Sequence, residues 1–151
     1  MIRRDVFQRA GLYRTAYFMY AEDVDLCRKV AELGLANYYV GDAVVMHHGG
    51  RSSGGDSENG RVAVMMRDSW RKYFELHRGA GYATTFRVVV ALQAVCRLAL
   101  IATALLACYQ GERRHRLMLA RKKWGSVLRW ALGLESWVAD IGAKEPCIHL
   151  S

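Results

Sequence analysis

Three carboxylates fall within four positions at Glu22, Asp23 and Asp25, and His47 and His48 follow just before a glycine-rich stretch. A carboxylate that stays ionised can take the proton from a hydroxyl as that oxygen attacks an electrophilic carbon. At the first turn of a helix it faces unpaired backbone N–H groups and the positive end of the dipole, which keeps it ionised. Neutral imidazole is a ready ligand for Mn²⁺ or Mg²⁺ in sites already built from carboxylate and diphosphate oxygens. The segment Gly49-Gly50-Arg51-Ser52-Ser53-Gly54 offers backbone N–H groups and a guanidinium to a diphosphate. It lacks the Lys-Ser/Thr ending of a Walker loop. Each group also has a plainer reading: acids cap first turns, histidines close strands, and glycine loops connect.

The elements that must position these groups follow from periodicity and punctuation. Positions 3 to 10 read as the end of a helix or a turn. The segment Ala21 to Leu33 is expected to be helical, with Val24, Cys27, Val30 and Ala31 on one face and Gly34 as its stop. Asn37 to Val40 and Ala43 to His47 read as short extended pieces separated by Gly41-Asp42. In a strand His48 points away from His47, so one of the two serves a site. Gly49 to Gly60 holds five glycines and three serines and reads as a mobile loop. Helices are then expected over Arg61 to Leu76, Thr85 to Tyr109 and Arg113 to Leu132.

The order and spacing of these residues resemble the C-terminal part of family 2 glycosyltransferases, in particular their bacterial rhamnosyltransferase-like members. The resemblance runs over roughly the first 80 residues. It rests on Arg3-Arg4-Asp5-Val6-Phe7, Gly11-Leu12-Tyr13, Tyr17-Phe18-Met19-Tyr20, Glu22-Asp23-Val24-Asp25-Leu26-Cys27, Gly34, Gly41-Asp42-Ala43 and His47-His48-Gly49-Gly50-Arg51-Ser52. Departures are the region around Arg14, where the family has an aspartate, Lys29 for an arginine, and Gly41 for a proline. The resemblance implies an α/β fragment, the C-terminal part of a GT-A-like core, over residues 1 to 80. It further implies inverting transfer of a sugar from a nucleotide-sugar to a cell-envelope glycan or lipid-linked acceptor. Asp23 would be the general base, with Glu22 and Asp25 orienting acceptor groups or bracing the loop. His47 would ligate Mn²⁺ or Mg²⁺, while Arg51 and Ser52 would meet the donor's diphosphate. The family's nucleotide-binding βαβ units and Asp-x-Asp motif have no counterpart in the chain, so the metal and the donor are expected only together with that N-terminal half.

Composition separates the two ends. Of a net charge of +8, residues 1 to 86 carry +2 and residues 87 to 151 carry +6. The basic half also holds the 22-residue apolar run Val88 to Tyr109, long enough for a ~30 Å bilayer core. Arg97 sits near its middle, where a cation costs roughly 2.5–3.5 kcal/mol. The expectation is therefore a helical region, residues 81 to 151, lying at the cytoplasmic face of the inner membrane. Arg87, Arg113, Arg114, Arg116, Arg121, Lys122 and Lys123 would approach anionic headgroups, and Trp124, Trp130 and Trp137 the interfacial zone. A helical hairpin packed on the core and a transmembrane span are the competing readings.

Cys27, Cys96, Cys108 and Cys147 form no CxxC or CxxH spacing and read as reduced structural residues in a cytosolic setting. The N-terminal Met1-Ile2-Arg3-Arg4-Asp5-Val6-Phe7 carries charge with no apolar region behind it, so no signal peptide is expected. A catalytically inactive basic scaffold at the membrane surface is the alternative function. Nucleic-acid binding is disfavoured because the basic residues interleave with a long apolar run, and a hydrolase because no nucleophile motif accompanies Asp23 and His47.

Overall fold

Five helices order the described residues: α1 (Arg4–Arg9), α2 (Glu22–Glu32), α3 (Gly60–Arg78), α4 (Ala80–Ala107) and α5 (Glu112–Ala131). The structure is a computed structural model and describes residues 1–46, 60–107, 111–135 and 137–138. His47, Arg51 and Ser52 lie outside them, as do Cys108 and Cys147.

The expected α/β fragment is corrected, because no strand forms among the described residues. Residues 37–40 and 43–46 have no regular structure, and Tyr39 and Val44 are 95% and 93% exposed. An extended segment becomes a strand only where a neighbour supplies its ladder of N–H and C=O partners. None of the described residues does so here.

Glycine sets where three helices stop. Gly11, Gly34 and Gly133 adopt φ of 79°, 76° and 82° just past the ends of α1, α2 and α5. After α2, Gly34 N–H donates to Ala31 O (2.9 Å) and Leu35 N–H to Val30 O (3.3 Å). The same pair of bonds closes α1 and α5, and this left-handed cap satisfies carbonyls that the helix itself leaves open.

Two apolar clusters form. In the smaller, Val6 and Ala10 of the α1 end pack against Leu26 and Val30 of α2, with Phe7 and Leu33 at the edge. The buried face of α2 is therefore Asp25, Leu26, Lys29 and Val30, whereas Val24, Cys27 and Ala31 are exposed. This turns the expected face by about one residue. The larger cluster unites Ala63 and Val64 of α3, Val90 and Ala94 of α4, and Val127 and Trp130 of α5. Close approach at its end depends on Gly60, where an added Cβ would stand 2.8 Å from Ser126 Oγ. A single residue, Gly79 (φ 86°), joins α3 to α4.

α4 and α5 form an antiparallel pair fixed by arginine. Arg87 donates from Nε to Ala131 O (2.9 Å) and from Nη2 to Trp130 O (3.0 Å), closing the C-terminal end of α5. The Arg97 guanidinium lies 5.8 Å from the Trp124 ring centre, where Arg67 of α3 also stacks at 5.2 Å. Burial lowers the pKa of Arg67. The tryptophans thus serve the bundle: Trp130 is buried and Trp124 partly so. This corrects their expected place in the interfacial zone, and Arg87 likewise is engaged inside the protein.

Candidate functional site

The acidic stretch is delivered by a constrained turn. Tyr20 and Ala21 take φ of 72° and 66°, a left-handed conformation that costs a non-glycine residue of order 1–3 kcal/mol. The surroundings over-determine it: Tyr17 and Ala21 are buried, and Ser69 Oγ of α3 donates to Met19 O at 2.6 Å. Ala21 is also the N-cap of α2 and offers no side-chain oxygen to the first-turn N–H groups. Glu22, Asp23 and Asp25 occupy that first turn, where the helix end favours negative charge.

The three acids meet different surroundings. Asp25 is completely buried and has polar partners on both oxygens. Its Oδ1 accepts from Tyr17 Oη (3.2 Å) and lies 2.7 Å from His77 Nε2; its Oδ2 meets Arg14 Nε (3.2 Å) and Lys29 Nζ (3.0 Å). Lys29 also donates to Leu12 O at 2.9 Å, tying down another residue with positive φ. Burial pushes the Asp25 pKa up, but the hydrogen bonds from His77 and Lys29 and the charges of Lys29 and Arg14 outweigh it and hold the group below 3.8. Tyr17 moves the other way: burial and the Asp25 charge raise its pKa well above 10.0.

Asp23, by contrast, is exposed, with Oδ1 accepting from Val24 N–H at 2.8 Å. Glu22 Oε2 is buried and has no hydrogen-bond partner among the described residues. Such an orphaned acceptor is uncommon in a folded protein. The arrangement therefore gives one carboxylate committed to internal contacts, one open to solvent, and one oriented but unsatisfied.

His77 lies just past the helix that periodicity predicts over Arg61 to Leu76, and nothing in its sequence context marks it for a site. Instead it stacks on Tyr73 (ring centres 4.6 Å apart) and reaches Asp25 across 52 residues of chain. The contact is tertiary, and only a prior decision to bury Asp25 would have pointed to it. Arg14 and Tyr17 were missed as partners of Asp25 for the same reason. A second buried carboxylate, Asp68, is met by Trp130 Nε1 (3.3 Å), Arg71 (3.2 Å) and Lys72 (3.1 Å). It faces a cavity of about 460 Å³ also lined by Arg87.

Among the described residues no three His, Cys, Asp or Glu side chains gather as metal ligands. His47, the ligand the resemblance gives to a divalent ion, lies outside the described residues. Cys27 and Cys96 are free, and both are exposed.

Over a limited stretch the chain is similar to a glycosyltransferase. Across 56 residues it is 41% identical to N-acetylglucosaminyl-diphospho-decaprenol L-rhamnosyltransferase of Mycobacterium tuberculosis, in two strains, covering 37% of this chain and 18% of that enzyme. Across 88 residues it is 33% identical to the arginine biosynthesis bifunctional protein ArgJ of Neisseria gonorrhoeae, covering 52% of this chain and 21% of that protein. The chain thus spans about a fifth of the length of these curated relatives. No family model and no solved structure matches.

Proposed function

We propose that this chain carries the acceptor-side acids of an inverting glycosyltransferase, with Asp23 as general base. The donor in this reading is a nucleotide-sugar bound with the help of residues beyond this chain, and the acceptor a cell-envelope glycan or lipid-linked sugar. The carrying observation is the contrast in the first turn of α2: Asp25 is locked into four internal contacts while Asp23 stands exposed behind two left-handed residues. A base must be reachable and held in place, and exposed Asp23, with Oδ1 bonded to Val24 N–H, meets these requirements better than its neighbours. The similarity to a rhamnosyltransferase supports the same class of chemistry.

In the step itself the acceptor oxygen forms a bond to the anomeric carbon while its proton passes to an Asp23 carboxylate oxygen. The bond from that carbon to the diphosphate breaks, and the nucleoside diphosphate leaves with the electron pair from the opposite face. Glu22, with a buried and unsatisfied oxygen, is suited to accept from a second acceptor hydroxyl. His47, Arg51 and Ser52 keep the roles the resemblance gives them, metal ligand and diphosphate contacts. The similarity to the gonococcal protein is lower in identity, and no observation of the site favours a reaction drawn from it.

The test is a chimera in which this chain's matching residues replace those of the mycobacterial enzyme. Asp23→Asn in that chimera is expected to lower sugar transfer by ~10²–10⁴ while leaving the circular dichroism spectrum unchanged. Turnover within a few-fold of the parent chimera removes Asp23 from the role. For the 151-residue chain alone, calorimetric titration with dTDP-, UDP- and GDP-sugars is expected to give no micromolar binding.

A further inference from the structure

The outer face of α4 is apolar along its length. Val88, Val89, Leu92, Val95, Leu100 and Leu106 are exposed, Leu92 at 61% and Leu106 at 77%. The helix is long and apolar enough to cross a membrane, yet little of its apolar stretch is buried inside the protein. Its two charged residues both engage α5 and not the outer face: Arg87 bonds the end of α5, and Arg97, itself exposed, lies over Trp124. Its threonines close on their own helix: Thr84, Thr85 and Thr103 donate to Ala80 O, Gly81 O and Leu100 O at 2.9–3.0 Å. A helix face of exposed aliphatic side chains whose neighbouring hydroxyls are satisfied within the helix suits an apolar medium, where an unmet polar group is costly.

α5 decides how that medium is met. The contacts Arg87–Trp130 and Arg97–Trp124 lay α5 antiparallel along α4, so Arg121 and Lys122, within one turn of Trp124, stand level with the middle of the apolar run. Arg113, Arg114, Arg116, Arg121 and Lys122 are all exposed. If α4 crossed the bilayer with α5 beside it, two of these cations would sit near the midplane, among the least tolerated places for charge. With the hairpin lying flat, the apolar face enters the acyl boundary and the cations remain at headgroup level. A second copy is a poorer match, because pairing two such faces brings together two regions of net charge +6. Anionic headgroups supply the complementary sign.

We propose that the α4–α5 hairpin is an in-plane membrane seat whose occupant is an anionic lipid bilayer. This inference rests on the hairpin alone and stands apart from the transferase reading. The probe is the full chain mixed with vesicles of equal parts phosphatidylcholine and phosphatidylglycerol. It is expected to co-sediment with them, to release at high salt, and to ignore pure phosphatidylcholine. The Arg121→Gln, Lys122→Gln double variant should partition about 30-fold more weakly, roughly 5-fold per basic residue. Leu92→Glu should lose binding by roughly 10-fold or more without losing helicity, since Leu92 is largely exposed on the outer face.

Depth distinguishes flat from spanning. Cys96 is exposed on this face, so a chain with Cys27, Cys108 and Cys147 changed to Ser accepts a fluorophore there alone. Lipids brominated near the headgroup should quench it more than lipids brominated near the chain end. Deeper quenching, or retention through alkaline extraction, overturns the in-plane seat in favour of a span. Absence of pelleting, or dimerisation that hides Cys96 without lipid, overturns the membrane as occupant.

Discussion

Asp25 shows how one residue can be chemically loud and still be architectural. Its carboxylate joins α2 to the preceding loop through Arg14 and Tyr17 and to α3 through His77. Asp25→Asn leaves the buried Lys29 ammonium facing a neutral group and is expected to cost about 3 kcal/mol, read as a lower urea midpoint. The pH dependence has a definite sign. Because the folded state holds Asp25 below 3.8, its stabilisation is complete above the unfolded value and is lost as pH falls through the lower folded value. Between about pH 6 and about pH 3, the parent chain should therefore lose more stability than Asp25→Asn. An equal loss in both proteins would assign the acid sensitivity to other carboxylates. The cluster Glu22, Asp23 and Asp25 was legible as a group in the sequence, but the division of labour within it was not. Residue type gives charge; only the packing of Tyr17 and His77 gives access.

At the level of elements, helix positions were readable because each is punctuated by residues with a physical reason to stop. Gly34 ends α2 where expected, and Gly79 ends α3. α4 begins at Ala80, ahead of the expected Thr85, since Ala80 to Ala83 include small residues that weaken the apolar signal yet continue a helix well. The face of α2 was misread because Asp25 and Lys29 look like surface residues one at a time, whereas paired at 3.0 Å they are buried together. The two extended pieces failed differently: alternation specifies which way side chains would face, and a strand also requires a partner that sequence alternation does not specify. Contact between elements gives a sharper test. Gly60→Ala places a Cβ 2.9 Å from Ser126 Cβ and is expected to cost about 1–3 kcal/mol. Adding Ser126→Gly should recover most of that loss, and simple additivity of the two changes in denaturant melts would show that α3 and α5 do not approach as closely as described.

Over the whole molecule, the α1–α2 cluster and the α3–α4–α5 bundle have separate apolar cores. Polar bonds join them, notably Ser69 to Met19 and His77 to Asp25. Stability should therefore be uneven, with the smaller cluster opening first. His77→Ala is expected to speed amide exchange in α2 several-fold while exchange in α4 and α5 stays unchanged. Uniform acceleration through all helices would mean that the two cores unfold as one. The basic, apolar character of the C-terminal half is plain from composition, whereas the engagement of Arg87 and Arg97 with α5 is not, because hydropathy counts a charge without knowing where it points. The one-residue joint at Gly79 gives these halves a common phase. With no linker to absorb rotation, the azimuth of α3, and with it the bearing of His77 on Asp25, is geared to the roll of α4 about its own axis. One extra residue that prolongs α3 before Gly79 would advance that gear by about 100°, so the site and the apolar flank could no longer both keep their headings.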